Sequence, residues 1–402
     1  MERVLYGYTN SDKRDDLLTL TKKLGSYYKT TKSVTLKDLS FTNALKFADV
    51  KKIGSGKNDL AHKVSYLKNL DKLVRAESEK VSQVNISTLL RDQTIEVFNS
   101  EGLYATDRRP YVRLMTTAIT KDGNNQATGF YHPGGFGGFE LIEKLNLAEH
   151  ASYITKQSLT NLYAKPCPAG KMAVVIDNGF GGVIFHEACG HLLETTAVEK
   201  KSTVFWDKMG EKIAHEAVSA VDDGTIDYEW GSLSIDDEGM KTERTQLIKN
   251  GILTDFMCDY VGHLKTGYRR TGSGRKQSYK FAPASRMRNT FIEPGKYNLD
   301  ELIASMDDGL YAKTMGGGSV KGSGEFNFSV QEGYLVKNGK ITDTVKGATL
   351  IGRGEDIMQK ISMVGNNFSL ATGMCGSVSG SIPTTVGQAA LKVDDILVGG
   401  GG

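Results

Sequence analysis

The 402-residue sequence predicts an α+β protein with two domains: an N-terminal helix-and-sheet domain over residues 1–165 and a mainly β C-terminal domain over residues 166–402. Helical and strand periodicities succeed one another in the first part, and short strands separated by Gly and Asn dominate the second. Lys165-Pro166-Cys167-Pro168 interrupts the helical pattern and places the boundary there. We expect a helix embedded in the second domain to carry the active site.

The composition indicates a globular protein and says little about partners. Lys and Arg number 50 and Asp and Glu 47, so the net charge of +3 gives no reason to expect nucleic acid. No stretch approaches the roughly 18 apolar residues that a membrane helix needs, and the first residues lack the apolar region of a signal peptide. Four scattered cysteines do not make a disulfide framework, so we expect reduced thiols and a cytoplasmic location.

Two periodicities predict the elements of the N-terminal domain. Apolar residues from Leu60 to Val74 recur every three or four positions among charged side chains, which indicates a surface helix packed on a sheet. Tyr111 to Ala118 alternates in the manner of a strand, and Asp122-Gly123-Asn124 supplies a hairpin-type turn. The expected elements are a strand at 3–9, helices at 12–24 and 59–80, antiparallel strands within 83–120, and a helix at 140–162.

A Gly-rich run, Gly134-Gly135-Phe136-Gly137-Gly138-Phe139, precedes the last of these helices. It resembles a Gly-rich loop at a helix N-terminus. As a phosphate cradle it is weak, because no Gly-Lys-Ser or Gly-Lys-Thr follows it.

The C-terminal domain is predicted from short apolar runs bounded by turn residues. Met172 to Asp177 forms a compact strand directly after the two prolines. Further strands are expected at 246–256, 333–335 and 342–350. The long helices expected in this domain lie at 182–194, 212–219, 299–306 and 355–361.

The strongest candidate site is His186-Glu187-Ala188-Cys189-Gly190-His191. Residues i and i+4 lie about 40° apart around a regular helix, whereas i and i+5 lie about 140° apart, so this spacing departs from the usual zinc signature. A single π-type turn would bring both histidines to one face, and Gly190 weakens the regular helix. We therefore predict a locally distorted helix at 186–191.

Zinc in a hydrolytic site commonly takes three protein ligands and keeps a fourth position for water. His186 and His191 leave one ligand unnamed. Glu187 directly follows the first histidine and is the natural general base. Glu194 is a candidate third ligand, or a partner that orients a histidine. The alternative, a buried helix with two hydrogen-bonded histidines, stays open on spacing alone.

Other candidate residues are weaker. His215-Glu216 repeats the dipeptide, but Ser219 and Ala220 stand where a second histidine is needed, so we expect an ordinary helix segment. Cys189 paired with a histidine is conceivable as a nucleophile, yet on a helix it points away from His186 and His191. Isolated histidines are more often surface or capped residues than ligands, and here they are His62, His132, His150 and His263.

Four ordered blocks of the sequence resemble the TldD/PmbA family, and the likeness extends over nearly the whole chain. Residues 181–191 are similar to the HExxxH segment of the family, and residues 285–295 to its RMxNT block. Residues 316–326 resemble its Gly-rich strand pair. Gly373-Met374-Cys375-Gly376 resembles its C-terminal Cys motif.

The resemblance implies a ligand set. In TldD proteins the metal is held by the two histidines of the motif and by the C-terminal cysteine, which correspond here to His186, His191 and Cys375. Zn²⁺ is the implied cofactor, and a thiolate suits it. Glu194 then becomes an orienting partner, and Glu187 remains the base.

The resemblance also implies an activity. We expect a zinc metallopeptidase that cleaves unfolded or flexible peptides as the catalytic subunit of a TldD/TldE-type complex, because the PmbA or TldE subunits lack the His-Glu-His set. The expected partner is a TldE/PmbA-like subunit or a second copy in a homodimer, with no nucleic acid or membrane. The alternative is a non-catalytic subunit that binds peptides or regulates such a complex.

Three further expectations concern individual segments. Arg286 and Arg288 are candidates to polarise the scissile carbonyl, and surface ion pairs are the equally open alternative. Gly316 to Gly318 are expected to offer a sheet edge to an extended substrate. Family members carry roughly another helix and strands before the segment that Met1 begins, so we expect a shortened first domain.

Overall fold

The computed structural model describes residues 4–28, 60–320 and 324–400. Its α-helices are α1 (Arg14–Gly25), α2 (Leu60–Ala76), α3 (Glu140–Glu143), α4 (Leu147–Leu162), α5 (Val183–Ala188), α6 (Thr195–Val198), α7 (Tyr260–Thr266), α8 (Leu299–Ala304) and α9 (Gly354–Lys360). Short 3₁₀ segments at Gly179–Gly182 and Gly190–Leu193 flank α5. Helices and strands are both abundant. The first part of the chain ends with α4, and the second part, which follows α4, is mainly β, so the predicted α+β class is confirmed.

The strands of the first part are β1 (Val81–Phe98), β2 (Tyr104–Asp122), β3 (Asn125–Tyr131) and β4 (Gly134–Gly135). The later strands are β5 (Lys165–Pro166), β6 (Gly170–Ile176), β7 (Ala220–Asp223), β8 (Arg244–Lys249), β9 (Ile252–Leu253), β10 (Gly274–Arg275), β11 (Ala284–Ser285), β12 (Asn289–Ile292), β13 (Asp308–Val320), β14 (Glu325–Lys337), β15 (Lys340–Lys346), β16 (Thr349–Arg353), β17 (Ile361–Val364), β18 (Ser369–Ser377), β19 (Gly380–Gln388) and β20 (Leu391–Gly399).

The first part is an antiparallel sheet of β1, β2 and β3, with β4 paired to β2. Leu70 and Val74 of α2 and Ile154 of α4 pack with Val112 and Leu114 of β2 in one buried cluster. The predicted surface helix, its packing on a sheet and the turn after Asp122 are therefore confirmed. The helix ends at Ala76 and not at residue 80, and Asp59 lies outside the described residues.

The second part contains two larger sheets. In one, β13, β6, β20, β16 and β14 pair in sequence, and β13 pairs again with β14, so these five strands close a ring. The other sheet has the order β18-β19-β12-β7-β8-β9. Helix α5 lies between them, because its Ile184 and Phe185 share a core with residues of both, such as Leu310 and Ile292.

Several predicted elements of the first part differ from the structure. The expected strand at 3–9 is wrong for residues 4–9, which have no strand partner, and residue 3 lies outside the described part. The expected helix at 140–162 is two helices. It is interrupted at 144–146, where the side chain of Asn146 accepts hydrogen bonds from Ala148 N and Glu149 N and starts α4.

The predicted helix at 212–219 is absent. The backbone N–H groups of Ile213 and Ala214 both donate to Gly251 O, and His215 N donates to Met358 O, so bonds to distant segments replace helical ones. Tyr260–Thr266 is a helix that the prediction missed, although Asp259 caps its start and Gly267 ends it with φ 76°.

The predicted strands of the second part are confirmed with changes in extent. Residues 172–177 correspond to β6, and residues 333–335 lie within β14. The expected strands at 246–256 and 342–350 are each split in two, at Asn250 and Gly251 and at Gly347, which all adopt positive φ. The predicted helices at 299–306 and 355–361 are confirmed as α8 and α9. The division of the chain at residue 165 stays a prediction.

Candidate metal centre

The segment that carries His186 is anchored on both sides by close packing. Strand β6 leads through the 3₁₀ turn into α5, and all residues of α5 except Glu187 are buried. A Cβ atom at Gly182 would lie 2.5 Å from Gly387 N and O. Glycine at this position lets α5 start directly against β19, which is the neighbour of the strand that carries Cys375.

Helix α5 ends at Ala188, and a 3₁₀ turn starts at Gly190. Cys189 joins them with φ −135° and ψ −45°, outside helical geometry. A Cβ atom at Gly190 would lie 2.4 Å from Met287 Sδ, so a side chain at this position would collide with Met287 of the 285–295 block. The predicted distortion at 186–191 is therefore confirmed, but the predicted π-type turn is wrong.

This break brings the two histidines together. The ring centroids of His186 and His191 are 4.9 Å apart, and their planes are inclined by 83°. Cys375 arrives on β18, where it pairs with Ile382 of β19. Its Sγ lies 3.2 Å from His186 Nε2 and 3.2 Å from His191 Nε2.

The three ligand atoms fit one metal ion, since they all lie within 4.8 Å of one another. Zn–N bonds of about 2.0–2.1 Å and Zn–S bonds of about 2.3 Å place tetrahedral ligand atoms roughly 3.3–3.6 Å apart. Within the described ranges, this is the one group of His, Cys, Asp and Glu close enough to hold a metal. Cys375 is a free thiol and does not form a disulfide bond.

Electrostatics favour a thiolate at Cys375. Burial alone raises the pKa of this thiol, but the charge and hydrogen bonding of His186 and then His191 outweigh burial and lower the pKa to about 3. Burial lowers the pKa of His191, but Glu194 and Cys375 raise it well above its ordinary value. A thiolate is the form that binds a metal, so the pocket favours Cys375 as a ligand.

The two glutamates of the segment differ in position. Glu194 is buried, and its Oε2 lies 3.1 Å from His191 Nδ1, so it orients that ring and leaves Nε2 facing Cys375. Glu187 is 20% exposed, and its Oε2 lies 3.8 Å from His191 Nε2. Glu187 therefore combines proximity to the ligand atoms with access to water.

Arg286 and Arg288 are completely buried, so the surface ion pair interpretation of both is wrong. Arg288 Nε donates to Asp222 Oδ2 at 2.6 Å in the six-stranded sheet. Arg286 Nη2 donates to Cys375 O at 2.6 Å. Neither guanidinium is accessible to a substrate carbonyl, and their role as electrophiles is not supported.

The remaining candidates lie elsewhere. Cys189 is buried in the apolar core, and burial raises the pKa of its thiol, which opposes a nucleophilic role. His215 accepts a hydrogen bond from Ala217 N at 3.1 Å. The Gly-rich run forms β4, and Gly138 N donates to Glu140 Oε1 at 3.0 Å, so an acidic side chain occupies the helix start where a phosphate was considered.

Sequence reasoning did not find the contacts of Arg286. It selected Arg286 by motif alone, and the partners of this side chain are main-chain and hydroxyl oxygens about 90 residues away in the sequence. Nothing in the local sequence around Arg286, Ser285-Arg286-Met287-Arg288, identifies these partners.

Comparison with known families gives two matches. Residues 169–400 match the PmbA/TldA metallopeptidase C-terminal domain, and residues 55–159 match the PmbA/TldA metallopeptidase central domain. Of the described helices, none combines the length and apolar character that crossing a bilayer requires.

Two curated relatives illustrate the sequence similarity. A metalloprotease TldD homologue of Haemophilus influenzae is 41% identical over 346 residues, which is 84% of this chain and 72% of the relative. A zinc metalloprotease TldD homologue of Saccharolobus solfataricus is 30% identical over 261 residues, covering 65% of this chain and 58% of the relative.

Solved structures share the fold at low sequence identity. TldE from Thermococcus kodakarensis superposes with a TM-score of 0.73 and 17% identity, covering 97% of this chain and 86% of that one. A candidate modulator of DNA gyrase from Thermotoga maritima superposes with a TM-score of 0.72 and 22% identity, covering 95% and 83% of the two chains.

Proposed function

Because the chain belongs to the PmbA/TldD family of metallopeptidases, we propose that it is a zinc-dependent peptidase with His186, His191 and Cys375 as ligands. The observation that carries this proposal is the convergence of these three ligand atoms within 4.8 Å. One imidazole pair and one thiolate make a donor set that zinc binds well. When bound, zinc acts as a Lewis acid and lowers the pKa of a water molecule to about 7.

Glu187 is the proposed general base. Its carboxylate lies beside His191, 3.8 Å from Nε2, and is 20% exposed, so it reaches both the ligand cluster and solvent. In the proposed reaction Glu187 accepts a proton from the attacking water and delivers it to the leaving amine. Glu194 keeps its bond to His191 and does not take part in proton transfer.

The proposed substrates are unfolded or flexible peptides. Strand β13 pairs with β6 only as far as Ala312 and Ile176, whereas its pairing with β14 continues to Val320 and Phe326. Beyond Ala312, therefore, no strand of the described part pairs with the second edge of β13, and Gly317 and Gly318 are exposed there. An extended peptide can add a strand to such an edge through main-chain hydrogen bonds.

The proposed assembly pairs this chain with a TldE/PmbA-like subunit, with a homodimer as the alternative. The family assignment and the fold shared with TldE support a related partner. Mass analysis of chains that co-purify with this one distinguishes the two assemblies.

We also place the protein in the cytoplasm, because its four cysteines are all free thiols.

A non-catalytic, peptide-binding subunit is the second candidate function. The ligand cluster, together with a glutamate placed beside it, favours the catalytic alternative. Zinc analysis of the purified chain, combined with cleavage of an unfolded peptide mixture before and after chelation, tests the choice. We expect bound zinc, and cleavage that stops on chelation and returns with zinc. Cleavage that is unaffected by complete zinc removal would contradict the proposal.

A further inference from the structure

Arg286 is a fully buried side chain that holds the hairpin carrying Cys375. Its Nη2 donates to Cys375 O at 2.6 Å. Its Nη1 donates to Ser379 Oγ at 2.8 Å, in the turn between β18 and β19, and to Gly380 O at 2.9 Å, at the start of β19. One guanidinium therefore fixes the main chain at the candidate ligand and at the turn that follows it.

The Nε side of the same guanidinium faces the other half of the metal centre. Arg286 Nε lies 4.0 Å from Glu194 Oε1. Glu194 Oε2 lies 3.1 Å from His191 Nδ1. Arg286 Nε and Glu194 Oε1 are both buried and have no hydrogen-bond partner. A buried polar atom without a hydrogen bond destabilises the folded protein. A small shift of either side chain would let Arg286 Nε donate to Glu194 Oε1.

Arg286 thus links two candidate ligands that are 184 residues apart in the sequence, His191 through Glu194 and Cys375 through its carbonyl. The planar fork of Arg presents several donors in fixed directions, which a lysine ammonium does not. The charges also balance. With a divalent cation bound, the cation and Arg286 offset the Cys375 thiolate and the carboxylates of Glu187 and Glu194.

We propose that Arg286 is a positioning residue of the metal centre. It sets the separation between the Cys375 thiolate and the His191 imidazole before a metal binds, and so raises the affinity for zinc. The inference rests on the proposed metal-binding function. Arg286 does not contact substrate in this account, because its side chain is completely buried.

Arg288 provides a matched control two residues along the chain. It is as completely buried as Arg286, and it also makes charged and main-chain contacts, with Asp222 Oδ2 at 2.6 Å and Thr271 O at 2.8 Å. Within the described residues, none of its hydrogen bonds or ion pairs is with a candidate metal ligand. Replacing Arg288 therefore reports the cost of disturbing a buried arginine in the same segment without touching the metal centre.

The experiment compares wild type, Arg286→Lys and Arg288→Lys as full chains. Zinc affinity is measured by competition with a chromophoric chelator, and the cobalt-substituted proteins are examined for the thiolate-to-cobalt absorption band. We expect Arg286→Lys to lower zinc affinity about 10- to 100-fold and to shift the cobalt band. Arg288→Lys is expected to lower the thermal midpoint of the metal-free protein while leaving zinc affinity and the band unchanged.

Wild-type zinc affinity and an unshifted cobalt band in folded Arg286→Lys overturn the inference. Equal losses of affinity in Arg286→Lys and Arg288→Lys also overturn it, because they indicate a general packing effect. If Arg286→Lys does not fold, Ser379→Ala removes one acceptor of the same guanidinium, and unchanged affinity in that variant is the contradicting result. Absence of zinc binding in wild type refutes the proposed function itself, and the inference with it.

Discussion

His-Glu dipeptides occur twice in the chain, at residues 186–187 and 215–216, and their surroundings differ. His186 is buried in α5 and meets His191 and Cys375. His215 lies in a turn, where its Nδ1 accepts from a neighbouring backbone N–H, and Glu216 is exposed to solvent. No further candidate ligand in the described part of the chain joins His215.

The difference shows that the dipeptide alone does not make a site. Around His186 the helix breaks at Cys189, a strand from the C-terminal region brings a thiolate, and Glu194 orients the second imidazole. Around His215 the backbone N–H groups donate to Gly251 O and Met358 O, in distant segments of the chain. Three substitutions and one change of pH test whether the two regions differ in this way.

Replacing the sulfur ligand should have the largest effect. In Cys375→Ser a neutral hydroxyl stands where the buried thiolate meets both imidazoles, so we expect loss of stoichiometric zinc and of peptide cleavage. Metal analysis by mass spectrometry measures the first and a peptide assay the second. Cys258→Ser is the control, because Cys258 is also buried but is not in the ligand group. Full zinc content in Cys375→Ser would remove Cys375 from the ligand set.

Replacing the proposed base should slow the chemistry without releasing the metal. Glu187→Gln keeps the size of the side chain but cannot accept the proton, so kcat should fall about 10²- to 10⁴-fold with zinc retained. Glu216→Gln, in the second dipeptide, should cleave peptides at the wild-type rate because Glu216 is exposed and away from the ligand group. Equal cleavage rates for the two variants would show that the two His-Glu dipeptides do not differ in function.

Glu194→Gln should have an intermediate effect. The charged partner of His191 is lost while the shape is kept, so zinc affinity should fall about 10- to 100-fold. Chelator competition measures the affinity. Glu199→Gln is the control, since Glu199 pairs with Lys265 at 2.8 Å. A Glu194→Gln protein with wild-type zinc affinity would mean that the orientation of His191 does not depend on this carboxylate.

The smallest change concerns pH. In the metal-free protein the pKa of Cys375 is lowered to about 3, so its thiolate persists as pH falls from 8 to 5. Iodoacetamide should therefore label Cys375 at rates within roughly twofold over that range, and Cys189, whose pKa burial raises, should stay unlabelled. Peptide mapping by mass spectrometry gives both rates. A rate at Cys375 that falls about tenfold per pH unit would show an ordinary thiol.

Local patterns in the sequence predicted the elements that local forces specify. The apolar periodicity of α2, the turn after Asp122 and the α+β class all follow from residues that are close in the chain. The helix predicted at 212–219 is absent because its backbone N–H groups donate to Gly251 O and Met358 O instead. The helix predicted at 140–162 is split because Asn146 caps the start of α4, and apolar periodicity does not reveal such a cap.

The candidate site divides in the same way. His186, Glu187 and His191 could be selected from one hexapeptide, and the need for a distorted helix followed from their spacing. Cys375 could not be derived from the residues, because its approach depends on the pairing of β18 with β19, and it was named only through the family resemblance. Neither the local sequence nor the family resemblance predicted the contacts of Arg286, because they join its guanidinium to main-chain carbonyls far away in the sequence.

X-ray absorption at the zinc edge of the zinc-loaded chain identifies the atoms that bind the metal. We expect one sulfur neighbour at about 2.3 Å and two imidazole nitrogens at about 2.0–2.1 Å, with the remaining position filled by a light atom. Loss of the sulfur contribution in Cys375→Ser would assign that neighbour. A first shell without sulfur, or with more than one sulfur, would contradict a centre built from His186, His191 and Cys375.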